Sequence, residues 1–428
     1  MSSGSSSSSR AEAAAAPVCR RRDDCRLCGG RAWTRVLTLT PTPPANAFVP
    51  RAALDRAQPT FPLEVWFCDA CGHVQLRDVV DPVLLFADYP YVSGTSPVFV
   101  RHFADYAAAM VGRFGLAPGD LVVDVGSNDG TLLAAFKNYG LAVLGIDPAA
   151  KIAAAATAAG IETWPGFFAT AIAQRIVRER GAARAITANN VFAHIDDLGG
   201  IANAVRTLLA PDGVFAFEVS YLRDVYEQTL FDTIYHEHLA YHSVAPLTRF
   251  FARHGLALFA VERNPSHGGS VRGYVQRRGG PRAADGSVDA LVADERKLGL
   301  DRAKTLLGFA ARIDAIGRDL KALIAELKGE GKRLAGYAAP AKATTLMYHF
   351  GLGPAEIEFI VDDSPLKQGL YSPGLHVPVV PAAALAERRP DYLVILAWNF
   401  AAPIIAKCQA FAEAGGRFIV PLPTVRVV

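Results

Sequence analysis

VVDVGSNDGTLL (122–133) is the stretch whose reading decides the fold. LVVDVG (121–126) reads as a buried strand ending at Asp124. Gly126 then lets backbone come close to a ligand, Asn128 lies in the loop, and a helix is expected to begin around Asp129–Thr131. About twenty residues after the loop, Asp147 closes GIDP at the end of the next strand, LAVLGIDP (141–148). An acidic side chain there suits a ribose, because two neighbouring hydroxyls can donate to one carboxylate. A dinucleotide loop would prefer G-x-G-x-x-G, whereas this one reads G-S-N-D-G. The difference argues against a pyrophosphate on the helix N-terminus and for a smaller adenosine ligand without phosphate. S-adenosylmethionine fits, with Gly126 near its amino-acid part, Asp147 on the ribose and Asn190 at the end of a third strand. The expected cofactor set is therefore Asp124, Gly126, Asn128, Asp129, Asp147 and Asn190, against the rival of a plain strand–loop–helix turn.

Working outward, AITANNVF (185–192) and GVFAFEVS (213–220) read as further strands with helical patterns between them. That alternation predicts a parallel α/β sheet over 91–275. After a surface connection, QRRGGPRAADG (276–286), Leu306, Phe309, Ile313, Ile316, Leu320, Leu323 and Leu327 recur at three and four. This is the apolar stripe of one long helix from near Asp301 to Gly329, packed against a neighbouring layer. RLAGYA, IEFIVDD, DYLVILAW and RFIVPLP then supply short buried strands, so 276–428 is expected to hold a second Rossmann-like domain. Residues 1–17, rich in Ser and Ala, read as a disordered leader, and 18–90 as a Pro-broken, strand-poor region whose small core needs a staple.

The bulk properties agree. At 428 residues the chain has room for about three domains. Hydrophobic residues at 51% against charged residues at 20% exclude general disorder. Lys+Arg 44 against Asp+Glu 41 weakens the case for a nucleic-acid partner. The apolar run LVILAWNFAAPIIA (393–406) is broken by Asn399 and Pro403 and is too short to span a bilayer. No basic segment followed by an apolar one opens the chain, so a cytoplasmic protein away from membranes is expected; a monomer is the expected state.

Four of the six cysteines form two C-x2-C pairs, Cys25/Cys28 and Cys68/Cys71, each followed directly by glycine. Two such knuckles close a four-thiolate zinc site, which leaves no position for water and so is structural. Cys19 lacks the spacing and reads as a bystander. In FDTIYHEHLAYHS (231–243), Tyr235, His236, Glu237, His238 and His242 crowd together. A zinc-protease H-E-x-x-H is excluded, since Ala240 stands where its second histidine would be. Acid–base chemistry is the natural use of such a group; a metal pair of His238 and His242, or an interface cluster without chemistry, are the rivals. RNPSHGGSVRGY (263–274) offers Asn264, His267, Ser270 and Arg272 around adjacent glycines, an anion nest or else a plain Gly-rich turn. GYAAPAKATT (336–345) places Pro340 at a helix start and Lys342 just inside it, a phosphate site or an ordinary solvated lysine.

Taken together, the cysteine pairs, YVSGTS (91–96), DVGSNDGTLL, NNVFAHIDD (189–197), FEVSYL (217–222), YHEH (235–238), NPSHGGSVR and GYAAPAK resemble the S-adenosylmethionine-dependent nucleotide-sugar C-methyltransferases, best exemplified by the deoxysugar C-3′-methyltransferases. The resemblance runs from Cys25 to the C-terminus. It implies an α/β protein in which a class I Rossmann-like methyltransferase domain (91–275) is flanked by a zinc-binding domain (18–90) and a C-terminal Rossmann-like domain (276–428). A dTDP-linked 4-keto-deoxysugar would lie between the second and third domains. By position, His238 would be the general base at sugar carbon 3, assisted by Tyr235 and Glu237. His194 and Asn190 would line the same cavity, and Tyr91 and Ser93 would contact the sugar nucleotide, joined by Asn264, His267, Arg272 and Lys342. A sister activity on another keto substrate, an RNA or protein methyltransferase, and an inactive sugar-nucleotide-binding protein are the competing classes.

Overall fold

The computed structural model describes residues 18–86, 94 and 97–428. The expected leader, 1–17, and the candidates Tyr91 and Ser93 lie outside the described residues.

Trp33–Thr42 (β1), Phe61–Cys68 (β2) and Val74–Leu76 (β3) form an antiparallel sheet. The expectation of a strand-poor first region is corrected here. In β2 the buried positions are Phe61, Leu63, Val65 and Phe67, the period-two signature of a strand with one face on a core. Pro41 and Pro62 do not break the ladder, because they fall where the β1–β2 register slips between Leu39 and Thr42. A fourth strand comes from far along the chain: Ala240 and Tyr241 pair with Gln75 and Val74 of β3.

The central layer holds Pro97–Phe114 (α1), Leu121–Val125 (β4), Thr131–Lys137 (α2), Ala142–Asp147 (β5), Thr163–Pro165 (β6), Ala183–Asn189 (β7), Leu209–Ser220 (β8), Leu256–Asn264 (β9) and Ser270–Arg277 (β10). Its seven-stranded sheet runs β9-β10-β8-β7-β4-β5-β6, with β10 antiparallel to both its neighbours and the other pairs parallel. Strand order reverses between β4 and β7, and open α/β sheets bind ligands at the carboxyl ends of strands flanking that point.

Beyond it lie Ala303–Gly329 (α3), Leu334–Tyr337 (β11), Ala341–Phe350 (α4), Ile360–Val361 (β12), Val379–Val380 (β13), Tyr392–Ile395 (β14), Arg417–Val420 (β15) and Arg426–Val427 (β16). The sheet order is β13-β12-β11-β14-β15-β16, parallel except at β16. On α3 the buried stripe is Leu306, Phe309, Ile313, Ile316, Leu320, Ile324 and Leu327; Ile324 takes the full burial expected of Leu323. These side chains share one core with Val36, Leu37 and Val65 of the first sheet and with β11 and β14. Each such burial contributes roughly 1.5–3 kcal/mol, so the first and last parts of the chain are fixed to one another. Among the described residues no helix is long and apolar enough to cross a membrane.

Candidate active site and metal centre

The four cysteines meet. Their sulfurs lie within 4.8 Å of one another, with Cys25–Cys71 at 3.6 Å and Cys28–Cys68 at 3.5 Å. Tetrahedral zinc with Zn–S near 2.3 Å requires sulfurs about 3.8 Å apart, so the set fits that ion. Gly29 and Gly72 adopt φ of +70° and +78°, and their N–H groups donate to the Cys25 and Cys68 carbonyls at 2.8 Å, closing the two knuckles. The Gly30 N–H donates to the Cys28 sulfur at 3.2 Å. Cys19 stays apart: it pairs with Val80 on a short strand and packs near Phe61 and Leu85.

At the switch point, Gly126 has φ +69°, and a Cβ there would run into Val191 from the loop after β7. Asn128 and Asn190 also take left-handed backbone, which asparagine tolerates better than most residues. The loop is drawn onto the next strand. The Asp147 carboxylate accepts the N–H groups of Asn128 and Ala149, both at 2.8 Å. A carboxylate has about four acceptor sites, so two remain for the hydroxyls of a ligand. Asp129 accepts from the N–H (3.2 Å) and hydroxyl (2.6 Å) of Thr131 at the start of α2 and from the Gly94 N–H at 2.8 Å. This last bond brings the Gly94 backbone against the loop after β4. Asp124 is buried and accepts from the Thr187 hydroxyl at 2.5 Å; burial lifts its carboxyl to about 7, against the pull of that hydrogen bond. The amide of Asn189, at the end of β7, is buried without a partner among the described residues, although sequence reasoning had singled out only Asn190. A polar ligand at these strand ends would satisfy it, so the pocket suits S-adenosylmethionine.

Asp147→Ala should therefore weaken the methyl donor by at least roughly tenfold, since one lost hydrogen bond to a charged group is worth ~1.5–3 kcal/mol. Calorimetric titration on a variant whose thermal midpoint is unchanged checks it. An unaltered Kd would move the ribose elsewhere.

The YHEH segment sits where all three parts of the chain meet. The His236 ring nitrogen Nε2 lies 3.2 Å from the Phe61 carbonyl, and Asn46 donates to the Glu237 carboxylate at 2.9 Å, both contacts with the first region. The Thr345 hydroxyl of α4 donates to the Ile234 carbonyl at 2.8 Å. His238 Nδ1 lies 2.7 Å from the Thr233 carbonyl. A carbonyl only accepts, so Nδ1 carries the proton and Nε2 keeps a free lone pair. Orientation of this histidine thus comes from a backbone carbonyl. The His238 ring lies 5.0 Å from that of His194 and 4.1 Å from that of Tyr235. His267 is within electrostatic reach of His194 and His238 on one side and of Glu218, His102 and Lys342 on the other. The fold therefore gathers His194, His238, His267 and Lys342, which are far apart in sequence. His242 packs in the core against Phe192 and His73, whereas His238 packs against His194 and Tyr235, so the two imidazoles have different surroundings.

Arg272 is a correction. Its guanidinium is committed to Glu218, with Nε at 3.0 Å and Nη2 at 2.6 Å, and to Glu262 at 2.9 Å, and it lies over the Tyr106 ring at 3.8 Å. It neutralises a buried carboxylate and offers no free cation to a substrate. Asn264 spends its side-chain oxygen on the Ser266 N–H at 3.0 Å, while its amide nitrogen is buried without a partner among the described residues. Glu218, the lone acid in the apolar run GVFAFEVS, was passed over from sequence. Burial alone would raise its carboxyl, but His102, Arg272 and Ser266 together hold it at about 2. It ties α1 to the loop before β10.

Burial lowers His238 to about 4, because its cation would lose hydration; the Thr233 bond opposes this only partly. Its neutral form therefore predominates at pH 6.5. Activity carried by that form should hold as pH falls through 6.5 and decline only toward about 4. The profile of kcat/KM, with samples returned to neutral pH as a control, reads this. An acid limb centred near the ordinary histidine value would contradict it.

Three family models match the chain: a zinc binding domain over residues 25–86, a methyltransferase domain over 99–261 and a C-methyltransferase C-terminal domain over 265–423. The C-methyltransferase NovU of Streptomyces niveus is 37% identical over 411 residues, covering 96% of this chain and 98% of that protein. Solved structures similar to part of the chain include the magnesium protoporphyrin IX methyltransferase of Synechocystis PCC 6803 with bound SAH (16% identity, 42% of this chain, 83% of that one, TM-score 0.34). The mitomycin 7-O-methyltransferase MmcR is another (20%, 43%, 55%, TM-score 0.34).

Proposed function

The chain belongs to the S-adenosylmethionine-dependent C-methyltransferases, and from that premise we propose that it methylates carbon 3 of a nucleotide-linked 4-keto-deoxysugar through an enolate. The observation that carries this reading is His238: a neutral imidazole with Nδ1–H tied to a carbonyl and Nε2 free, beside Tyr235 and His194.

Carbon is a poor nucleophile until a neighbouring carbonyl acidifies its C–H. His238 Nε2 takes that proton, and the C–H electron pair moves into the enolate, whose charge rests on the former ketone oxygen. The Tyr235 hydroxyl is suited to donate to this oxygen. When bound, S-adenosylmethionine supplies an electrophilic methyl group. The protein's remaining work is to hold the enolate carbon in line with that methyl, and Asp147 and the 126–130 loop fix the donor's end of the geometry. Zinc takes no part in the chemistry.

A cavity of about 290 Å³ supports the sugar-nucleotide part of the reading. Gln228, Pro265 and Gly268 line one side of it, and Trp398, Phe400 and Arg426 the other. Phe400 is 51% exposed, a free aromatic face for a base, and Arg426 supplies a cation for a diphosphate. The test is turnover of a dTDP-linked 4-keto-deoxysugar with methyl-labelled donor and carbon NMR of the product. Label on carbon 3 is expected. Label on oxygen, on another carbon, or no transfer to any 4-keto sugar nucleotide would overturn the assignment.

A further inference from the structure

We propose that the C-terminal domain sets the tautomer and aim of His238 by gripping the turn that carries the Thr233 carbonyl, with Asp232, Thr345 and Trp398 as positioning residues. The inference rests on His238 being the base. Phe231–Thr233 is a single 3-10 turn, and its neighbours are held from one direction. Before Thr233, the fully buried Asp232 accepts the indole N–H of Trp398 at 2.7 Å, with the Lys342 ammonium 3.8 Å from the same oxygen. Lys342 in turn donates to Asn399, next to Trp398. After Thr233, the Thr345 hydroxyl holds the Ile234 carbonyl. On the far side, the Phe231 ring packs 4.9 Å from that of Phe350 on α4.

The consequence is geometric. With residues 232 and 234 both pinned to the C-terminal domain, the carbonyl between them has one direction in which to point, and the His238 Nδ1–H meets it at 2.7 Å. Loosening the turn would let the imidazole rotate or exchange its proton to Nε2, removing the lone pair that the base needs. Lys342, expected from sequence to meet phosphate, has its charge engaged here as the counter-ion of Asp232.

The test uses the full-length zinc-loaded protein and three variants. Trp398→Phe keeps the ring and removes the donor; Thr345→Val removes the hydroxyl; Thr345→Ser restores it. Nitrogen NMR of the histidine rings reads the His238 tautomer, and steady-state kinetics read kcat and KM. The Nδ1–H form is expected in the unaltered protein. Trp398→Phe and Thr345→Val should shift it and lower kcat ~10- to 100-fold, the range seen for partners that orient metal-bound histidines; in Thr345→Val, which lies outside the cavity lining, KM for both substrates should stay nearly unchanged. Thr345→Ser should recover both readouts. A tautomer that stays put in both removing variants, or a kcat loss that serine fails to rescue, would overturn the proposal and leave the base assignment to the His238→Ala result. A tautomer that shifts while turnover is unaffected would overturn the base assignment itself.

Discussion

His238→Ala should bind the methyl donor and the sugar nucleotide almost as the unaltered protein does, yet lose ~10²–10⁴ in turnover, the usual worth of a positioned base. The reason lies in what the side chain does. Its Nδ1 contact is to the Thr233 carbonyl, and its ring is flanked by His194 and Tyr235, so its removal strips a proton acceptor and leaves the loop around Asp147 untouched. Deuterium exchange at sugar carbon 3, followed in heavy water without any methyl donor, isolates the proton-abstraction step. Exchange should nearly vanish in the variant. If it persists undiminished, the base is another group, with Tyr235 and His194 next in line.

Removing zinc should have the second large effect, and it should reach the catalytic segment. Structural zinc is worth about 10–16 kcal/mol in isolated zinc-finger peptides, which are unfolded without it. Here Cys68 ends β2 and Cys71 leads into β3, which pairs with Ala240 and Tyr241, two and three residues past His238. Loss of the metal should therefore loosen β3, the strand against it and the His236 and Glu237 anchors on Phe61 and Asn46. Chelation, or Cys68→Ala combined with Cys71→Ala, is expected to abolish zinc by elemental analysis, lower the thermal midpoint and collapse turnover. Methyl-donor affinity, set by the central sheet, should fall last. Full zinc retention in the double variant would refute the ligand set, and normal turnover without zinc would refute the coupling.

Much of this was legible in the sequence. The two C-x2-C pairs, the G-S-N-D-G loop with Asp147 one strand later, and the three-and-four stripe of α3 are local signals. Backbone period and covalent spacing alone put those residues on a knuckle, at a strand end or on one helix face. The four-thiolate set, the alternation of strands and helices and the tight loop after β4 follow from such signals. Even the first sheet was legible in the alternation of Phe61, Leu63, Val65 and Phe67, and was obscured only by prolines that turn out to sit at a register slip.

What needed the tertiary structure is the choice of partner. Arg272 looked free because nothing near it in sequence is acidic enough to claim it; folding brings Glu218, on a neighbouring antiparallel strand, within 2.6 Å, and a buried carboxylate takes the nearest guanidinium. Lys342 looked like a phosphate ligand until packing set it beside Asp232. Glu237, adjacent to His238 in the chain, reaches Asn46 of the first region, while the acceptor that orients His238 is a backbone carbonyl five residues back, on a turn pinned by Trp398 and Thr345. Residue type and spacing determine which chemistry a segment can offer. Which groups remain available for it is decided only when distant segments compete for the same buried donors and acceptors, since each buried polar group must find a partner among whatever the fold places beside it.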